Sequence, residues 1–338
     1  MLIADLARRY LPSLDAYMRV VVDSAPEAPE FKTMLRYPLG WVNADGTPHE
    51  APTGKRIRPI LLLLSAEAAG GTWESALPAA AAVELLHNFS LIHDDIQDDS
   101  ETRHNRPTVW KVWGRANAIN AGDAMFTLAY RALGRLTETT TPEVALACWQ
   151  ILNATNLELT RGQHLDMRFE HQSAVSVDEY LSMVSGKTAA LVAASAQIGA
   201  LIGSGSMETA AHFAEYGLNL GIAFQIHDDI LGIWGNPDVT GKSAATDIIS
   251  RKKSLPVLYG LTHSSALADV YSRASFADED VAEAVHLLDT IDAKTYTRQN
   301  EADYYNRALN SLEHTGIDGT QAMSDLILLS ETLFAREY

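Results

Sequence analysis

The chain has 338 residues, 47% of them hydrophobic, and its 43 acidic against 26 basic side chains give a net charge of -17. That excess of acid excludes wrapping nucleic acid or lying on an anionic membrane through bulk electrostatics, and confines the basic residues to local roles. A single cysteine, Cys148, rules out an intrachain disulfide and a cysteine-based zinc site, and fits a reducing cytoplasm.

At the N-terminus Asp5, Arg8 and Arg9 interrupt the apolar residues, so the unbroken apolar stretch of a signal peptide is missing. The longest uncharged run, residues 188–207, reads as a helix at the centre of the fold and not as a membrane span. The expectation is a cytoplasmic protein that is not a membrane protein. Residues 24–54, rich in Pro and Gly, read as a long irregular excursion before the core begins. Helical periodicity then predicts helices over 55–70, 74–99, 117–136, 142–170, 178–203, 207–233, 251–265, 278–290, 296–315 and 320–336. No strand pattern competes and no linker divides the chain, so residues 1–338 read as a single all-α domain. Segments 74–92 and 188–203 are apolar nearly all round and read as its centre.

Ile-His-Asp-Asp-Ile occurs twice, at 92–96 and 226–230, each time at the end of an apolar helical run. In the first copy Asp94, Asp95, Asp98, Asp99 and Glu101 share a helical face at i, i+3 and i+4 spacing. Their charges repel one another, and near a helix C-terminus the macrodipole disfavours each by a few tenths to about 1 kcal/mol. A cation relieves both penalties. Oxygen-only ligands suit magnesium, which takes one or two carboxylates along with waters and phosphate oxygens. The alternatives are a solvated helix end and, because His93 and His227 precede the acids, a His-Asp metal phosphohydrolase. The carboxylates outnumber the histidines at both places, and a histidine flanked by apolar residues is more often a hydrogen-bonded core residue.

Four basic elements answer the acids: Lys55-Arg56-Ile57-Arg58, Arg103 to Arg106, Lys187 after Gly186, and Lys242 through Arg251, Lys252 and Lys253. Taken singly, each reads as solvated. Set beside two Asp motifs in an acidic chain, they fit a polyanion bridged by metal. No P-loop or dinucleotide fingerprint accompanies them, which points away from a nucleotide.

GKRIRP at 54–59, ELLHNFSLIHDDIQDDSETRHNRPTVW at 84–110, GKTAAL at 186–191 and FQIHDDILGIWGNPDVTGKSAATDIISRKKSLP at 224–256 resemble, in order and separation, the motifs of trans-isoprenyl diphosphate synthases of the farnesyl and geranylgeranyl type. The resemblance implies a single all-α bundle around a central cavity, a homodimer, and condensation of isopentenyl diphosphate with an allylic diphosphate. It makes Asp94, Asp95 and Asp98 the first DDxxD motif. Asp228 and Asp229 open the second, and up to three magnesium ions join the motifs to the allylic diphosphate. It also implies that Arg103, Lys187, Thr188, Gln225, Lys242 and Lys252 hold the allylic substrate, while Lys55, Arg58 and His87 hold isopentenyl diphosphate. Lys187, Thr188 and Gln225 serve the ionisation step. Two positions depart from the family pattern. Gly232 stands where the second motif commonly ends in Asp, with Asp247 as a possible compensation, and His104 stands where a second Arg is usual, with His104 or Arg106 as its substitute.

Phe89 precedes Asp94 by about 7.5 Å of helical rise and about 140° of rotation, so geometry alone does not set it beneath the motif. By resemblance Phe89 and Ser90 limit product length, with geranylgeranyl diphosphate expected first and farnesyl diphosphate second. A class I terpene cyclase shares the fold but carries an Asn-Ser-Glu motif, which is not visible after Asp228. A non-catalytic regulatory subunit tends to lose an Asp motif, whereas both are present here.

Overall fold

The computed structural model describes residues 2–51, 54–172, 174–235, 245–273 and 275–334. Lys242 lies outside them. The chain folds into two compact units: residues 1–152, 195–210 and 319–326 form the first, and 153–194, 211–318 and 327–338 the second.

The helices, in chain order, are α1 (Leu2–Asp23), α2 (Pro29–Arg36), α3 (Ile57–Ala68), α4 (Leu77–Gln97), α5 (Val109–Trp113), α6 (Arg115–Gly134), α7 (Pro142–His171), α8 (Val177–Val184), α9 (Ala190–Ser204), α10 (Met207–Trp234), α11 (Thr246–Ile249), α12 (Leu255–His263), α13 (Ser265–Tyr271), α14 (Asp278–Thr290), α15 (Ala293–Glu313) and α16 (Gln321–Phe334). Two departures from the sequence expectation lie in the first 54 residues. Helix α1 was not anticipated, because Arg8, Arg9 and Pro12 obscure a four-residue repeat of Leu6, Tyr10, Leu14 and Met18, all buried. The excursion is packed rather than irregular throughout. Pro29 starts α2, Met34, Leu35, Leu39 and Trp41 are buried, and an Asx turn at Asp45 receives the Thr47 N–H at 2.9 Å.

In the first unit α4 packs along α6, and the side chains from Ala79 to Leu86 are all buried. The stretch Trp73–Gln97 is long and apolar enough to cross a membrane, but 67% of its apolar window is buried in this fold, as befits a core helix. In the second unit Phe169, Tyr180, Met183, Ile222, Ile226 and Leu255 form one core around α8 and α10.

Candidate active site

The first Asp motif closes α4 in the first unit. Asp94 is half-buried and Asp98 exposed, whereas Asp95 is 5% exposed and turned onto Arg103. The guanidinium donates to Asp95 Oδ1 from Nη2 at 2.8 Å and from Nε at 3.0 Å. Burial raises the Asp95 pKa, and Arg103 opposes that shift. Asp99 and Glu101 pair with Arg115 and Lys111. Arg103 reaches Asp95 from a two-stranded hairpin, β1 (Thr102–Arg103) and β2 (Arg106–Pro107). Its turn residues His104 and Asn105 have φ of 50° and 60°, the primed turn that a tight hairpin requires.

The basic motif at 54–59 divides its labour. Arg56 turns inward to Asp15 and, at 3.7 Å, to Glu84, and so anchors the start of α3. Arg58 lies 3.3 Å from His87 Nε2. Arg only donates, so that imidazole nitrogen accepts and the neutral ring is required. Burial, with Arg58, Arg103 and His104 nearby, holds the His87 pKa well below its ordinary value. Arg58, His87, Arg103 and His104 therefore share one electrostatic environment. Arg106 is held elsewhere: it donates to the Tyr37 and Val42 carbonyls at 3.1 and 2.8 Å and covers the Tyr37 ring. Of the two suggested substitutes for the second Arg, His104 is the one beside the cluster. Lys55 is exposed two residues before α3.

Phe89 is half-buried, edge-on to His93 and to Phe126 of α6, with ring centroids 4.9 and 5.3 Å away. The Ser90 hydroxyl donates to the His87 carbonyl at 2.8 Å. His93 lies against Gly122 of α6, and His227 is 3% exposed with Nδ1 2.7 Å from Glu301. His227 thus packs as a core residue, whereas His93 is half-buried against α6.

In the second unit a single wide turn, Ser185–Ala189, joins α8 to α9 and presents Lys187 and Thr188. It can form because Gly162 of α7 and Gly186 meet backbone to backbone: a Cβ on Gly162 would lie 2.0 Å from the Lys187 nitrogen. Lys187 pairs with Asp166, one turn beyond Gly162 on α7. Asp166 was not anticipated, although its i+4 spacing from Gly162 was readable. The Thr188 hydroxyl donates to Gln225 Oε1 at 2.9 Å.

The second motif lies near the end of α10. Asp228 is half-buried; Asp229 is wholly buried among donors. In the run 251–253 Lys252 lies 3.6 Å from Asp229 and 3.9 Å from Asp247, while Arg251 and Lys253 bind backbone carbonyls. Burial would lower the Lys252 pKa, but Asp229, Asp247, Asp166 and Asp228 together raise it. The Asp247 carboxylate occupies the space over Gly232, where an added Cβ would lie 2.5 Å from its Cγ. Asp247 of α11 thus fills the space that a side chain at 232 would take.

Among the described residues no set of three His, Cys, Asp or Glu side chains could cage an ion. Half-exposed acids at two helix ends fit magnesium nonetheless, since it keeps its waters and takes phosphate oxygens.

The polyprenyl synthetase family model matches residues 47–288. The chain belongs to that family. A (2E,6E)-farnesyl diphosphate synthase of Mycobacterium bovis is 38% identical over 325 residues, covering 92% of this chain and 89% of its own length. A geranylgeranyl diphosphate synthase of Mycobacterium tuberculosis is 38% identical over 341 residues, covering 99% and 95%. The crystal structure of a geranylgeranyl pyrophosphate synthetase from Pyrococcus horikoshii matches with a TM-score of 0.89 at 33% identity, over 99% and 98% of the two chains. This polyprenyl synthetase is a short-chain trans-prenyltransferase with the all-α isoprenoid synthase fold, as its four ordered motifs indicate. The phosphohydrolase and cyclase readings fall away.

Proposed function

We propose that this polyprenyl synthetase condenses isopentenyl diphosphate with an allylic diphosphate in a magnesium-dependent reaction, giving geranylgeranyl diphosphate first and farnesyl diphosphate second. The observation that carries the reading is the sorting of charges within each motif: Asp95 and Asp229 are buried on donors, while Asp94, Asp98 and Asp228 keep their exposure. Those three are the magnesium ligands; Asp95, which the motif assigns with them, instead fixes Arg103. Bound there, up to three magnesium ions supply positive charge to the diphosphate oxygens.

Arg103, Lys187 and Lys252 stabilise the departing diphosphate, with Lys242 assigned to the same task by motif. The allylic C–O bond breaks with its electron pair leaving on oxygen. The oxygens of Thr188 and Gln225 face the resulting cation, and the double bond of isopentenyl diphosphate attacks it. Lys55, Arg58, His87 and His104 hold that second diphosphate. The released diphosphate takes a proton from the condensed cation, and the electrons of that C–H bond form the new double bond.

Phe89 and Ser90 set product length. The Phe89–Phe126 contact supports a stop made by two rings. Both units belong to one catalytic domain, a reading supported by the return of the chain to each of them. A cytoplasmic homodimer is the assembly, supported by exposed Ile119, Leu146 and Trp149; sedimentation at twice the chain mass checks it.

The test is incubation with magnesium, isopentenyl diphosphate and dimethylallyl, geranyl or farnesyl diphosphate, with products read by mass spectrometry. Linear products are expected, and Phe89→Ala lengthens them by one or more isoprene units. Inert substrates or a cyclic hydrocarbon overturn the reading.

A further inference from the structure

Asp229 is 0% exposed, and its two oxygens meet four donors. Oδ2 accepts from the Tyr180 hydroxyl at 2.6 Å and from the Leu255 N–H at 3.0 Å. Oδ1 accepts from Gln225 Nε2 at 3.0 Å and has the Lys252 ammonium 3.6 Å away. A carboxylate so enclosed has no room for a magnesium ion with its water shell.

The surroundings determine orientation. A carboxylate only accepts, so the Gln225 amide must turn its NH₂ to Asp229 and its carbonyl to Thr188. The Thr188 hydroxyl then spends its proton on Gln225 Oε1 and keeps its lone pairs outward. Tyr180 is wholly buried on α8, and burial with the Asp229 charge raises its pKa well above the ordinary range, so its hydroxyl stays a donor. The Ser254 side chain does not cap α12, and Asp229 supplies that acceptor from α10 instead.

We propose that Tyr180 and Asp229 are a positioning pair that fixes the Gln225 amide and the Thr188 hydroxyl with their oxygens towards the developing cation, and that Asp229 binds no metal. The pair acts through Thr188 and Gln225, so it rests on the reading of those two as the groups that face the cation. Removing the Tyr180 oxygen leaves Oδ2 with the Leu255 N–H alone, which loosens the carboxylate and with it the amide. Turnover should suffer while diphosphate binding does not.

The experiment is a double-mutant cycle of Tyr180→Phe and Thr188→Ala in the full chain, measuring kcat, KM for the allylic diphosphate and the magnesium concentration for half-maximal rate. Each single variant is expected to lose about tenfold in kcat with KM and magnesium requirement unchanged, and the double variant no more than about twofold beyond the worse single. Multiplying losses, or an unchanged kcat in Tyr180→Phe, overturns the proposal. An unchanged kcat in Thr188→Ala removes the reading beneath it, and the proposal with it. Asp229→Asn gives a second handle should Tyr180→Phe fail to fold. It is expected to lower kcat at an unaltered magnesium requirement, whereas Asp228→Asn raises that requirement; an equal rise in both overturns the proposal.

Discussion

Asp94→Ala lowers turnover by about a thousandfold, a loss of about 4 kcal/mol of transition-state stabilisation. Its neighbours cannot replace it. Asp95 is 5% exposed and held by Arg103, and Asp99 is paired with Arg115. That leaves Asp98 as the other exposed carboxylate of the motif. The same substitution leaves the fold intact, because Asp94 is only half-buried and removing it relieves charge repulsion at the α4 C-terminus. Steady-state rates at saturating magnesium and a melting curve separate the two effects. A variant that keeps a tenth of its rate, or one that melts far below the parent, contradicts this account.

Gly162→Ala destabilises the second unit by about 3 kcal/mol and removes activity with it. The added methyl would lie 2.0 Å from the Lys187 nitrogen, 2.6 Å from the Gly186 carbonyl carbon and 2.7 Å from the Lys187 Cα. All three are backbone atoms, so no rotamer change relieves the contact, and the wide turn that presents Lys187 and Thr188 must move. Gly134→Ala is the control. Gly134 has nothing within 4 Å of an added Cβ, and there alanine is neutral or stabilising by up to about 1 kcal/mol. Denaturant melts of both variants decide the matter: equal stability would mean that the close approach of α7 is unimportant.

Much of the fold was legible because apolar periodicity is a local property. The segment 278–290 coincides with α14, and 142–170 and 207–233 differ from α7 and α10 by a single residue at one end. Helix α1 escaped because its buried stripe of Leu6, Tyr10, Leu14 and Met18 is interleaved with Arg8, Arg9 and Pro12. The continuous helix expected over 178–203 is present, but it widens at 185–189, and the close approach that accompanies the widening involves Gly162, more than twenty residues earlier.

Which residue types carry the chemistry was written in the chain: two acidic helix ends, cations beside them, and four motifs in order. Sequence by itself therefore determined the all-α class and the diphosphate-directed site. Only the tertiary structure decided which member of each pair or run does what. It buried Asp95 and Asp229 on donors, sent Arg56, Arg106, Arg251 and Lys253 to structural partners, and set Asp247 over Gly232. Adjacent residues on a helix differ by about 100° in direction, so identical neighbours in sequence meet opposite environments, and it is the elements packed against them that settle which faces water.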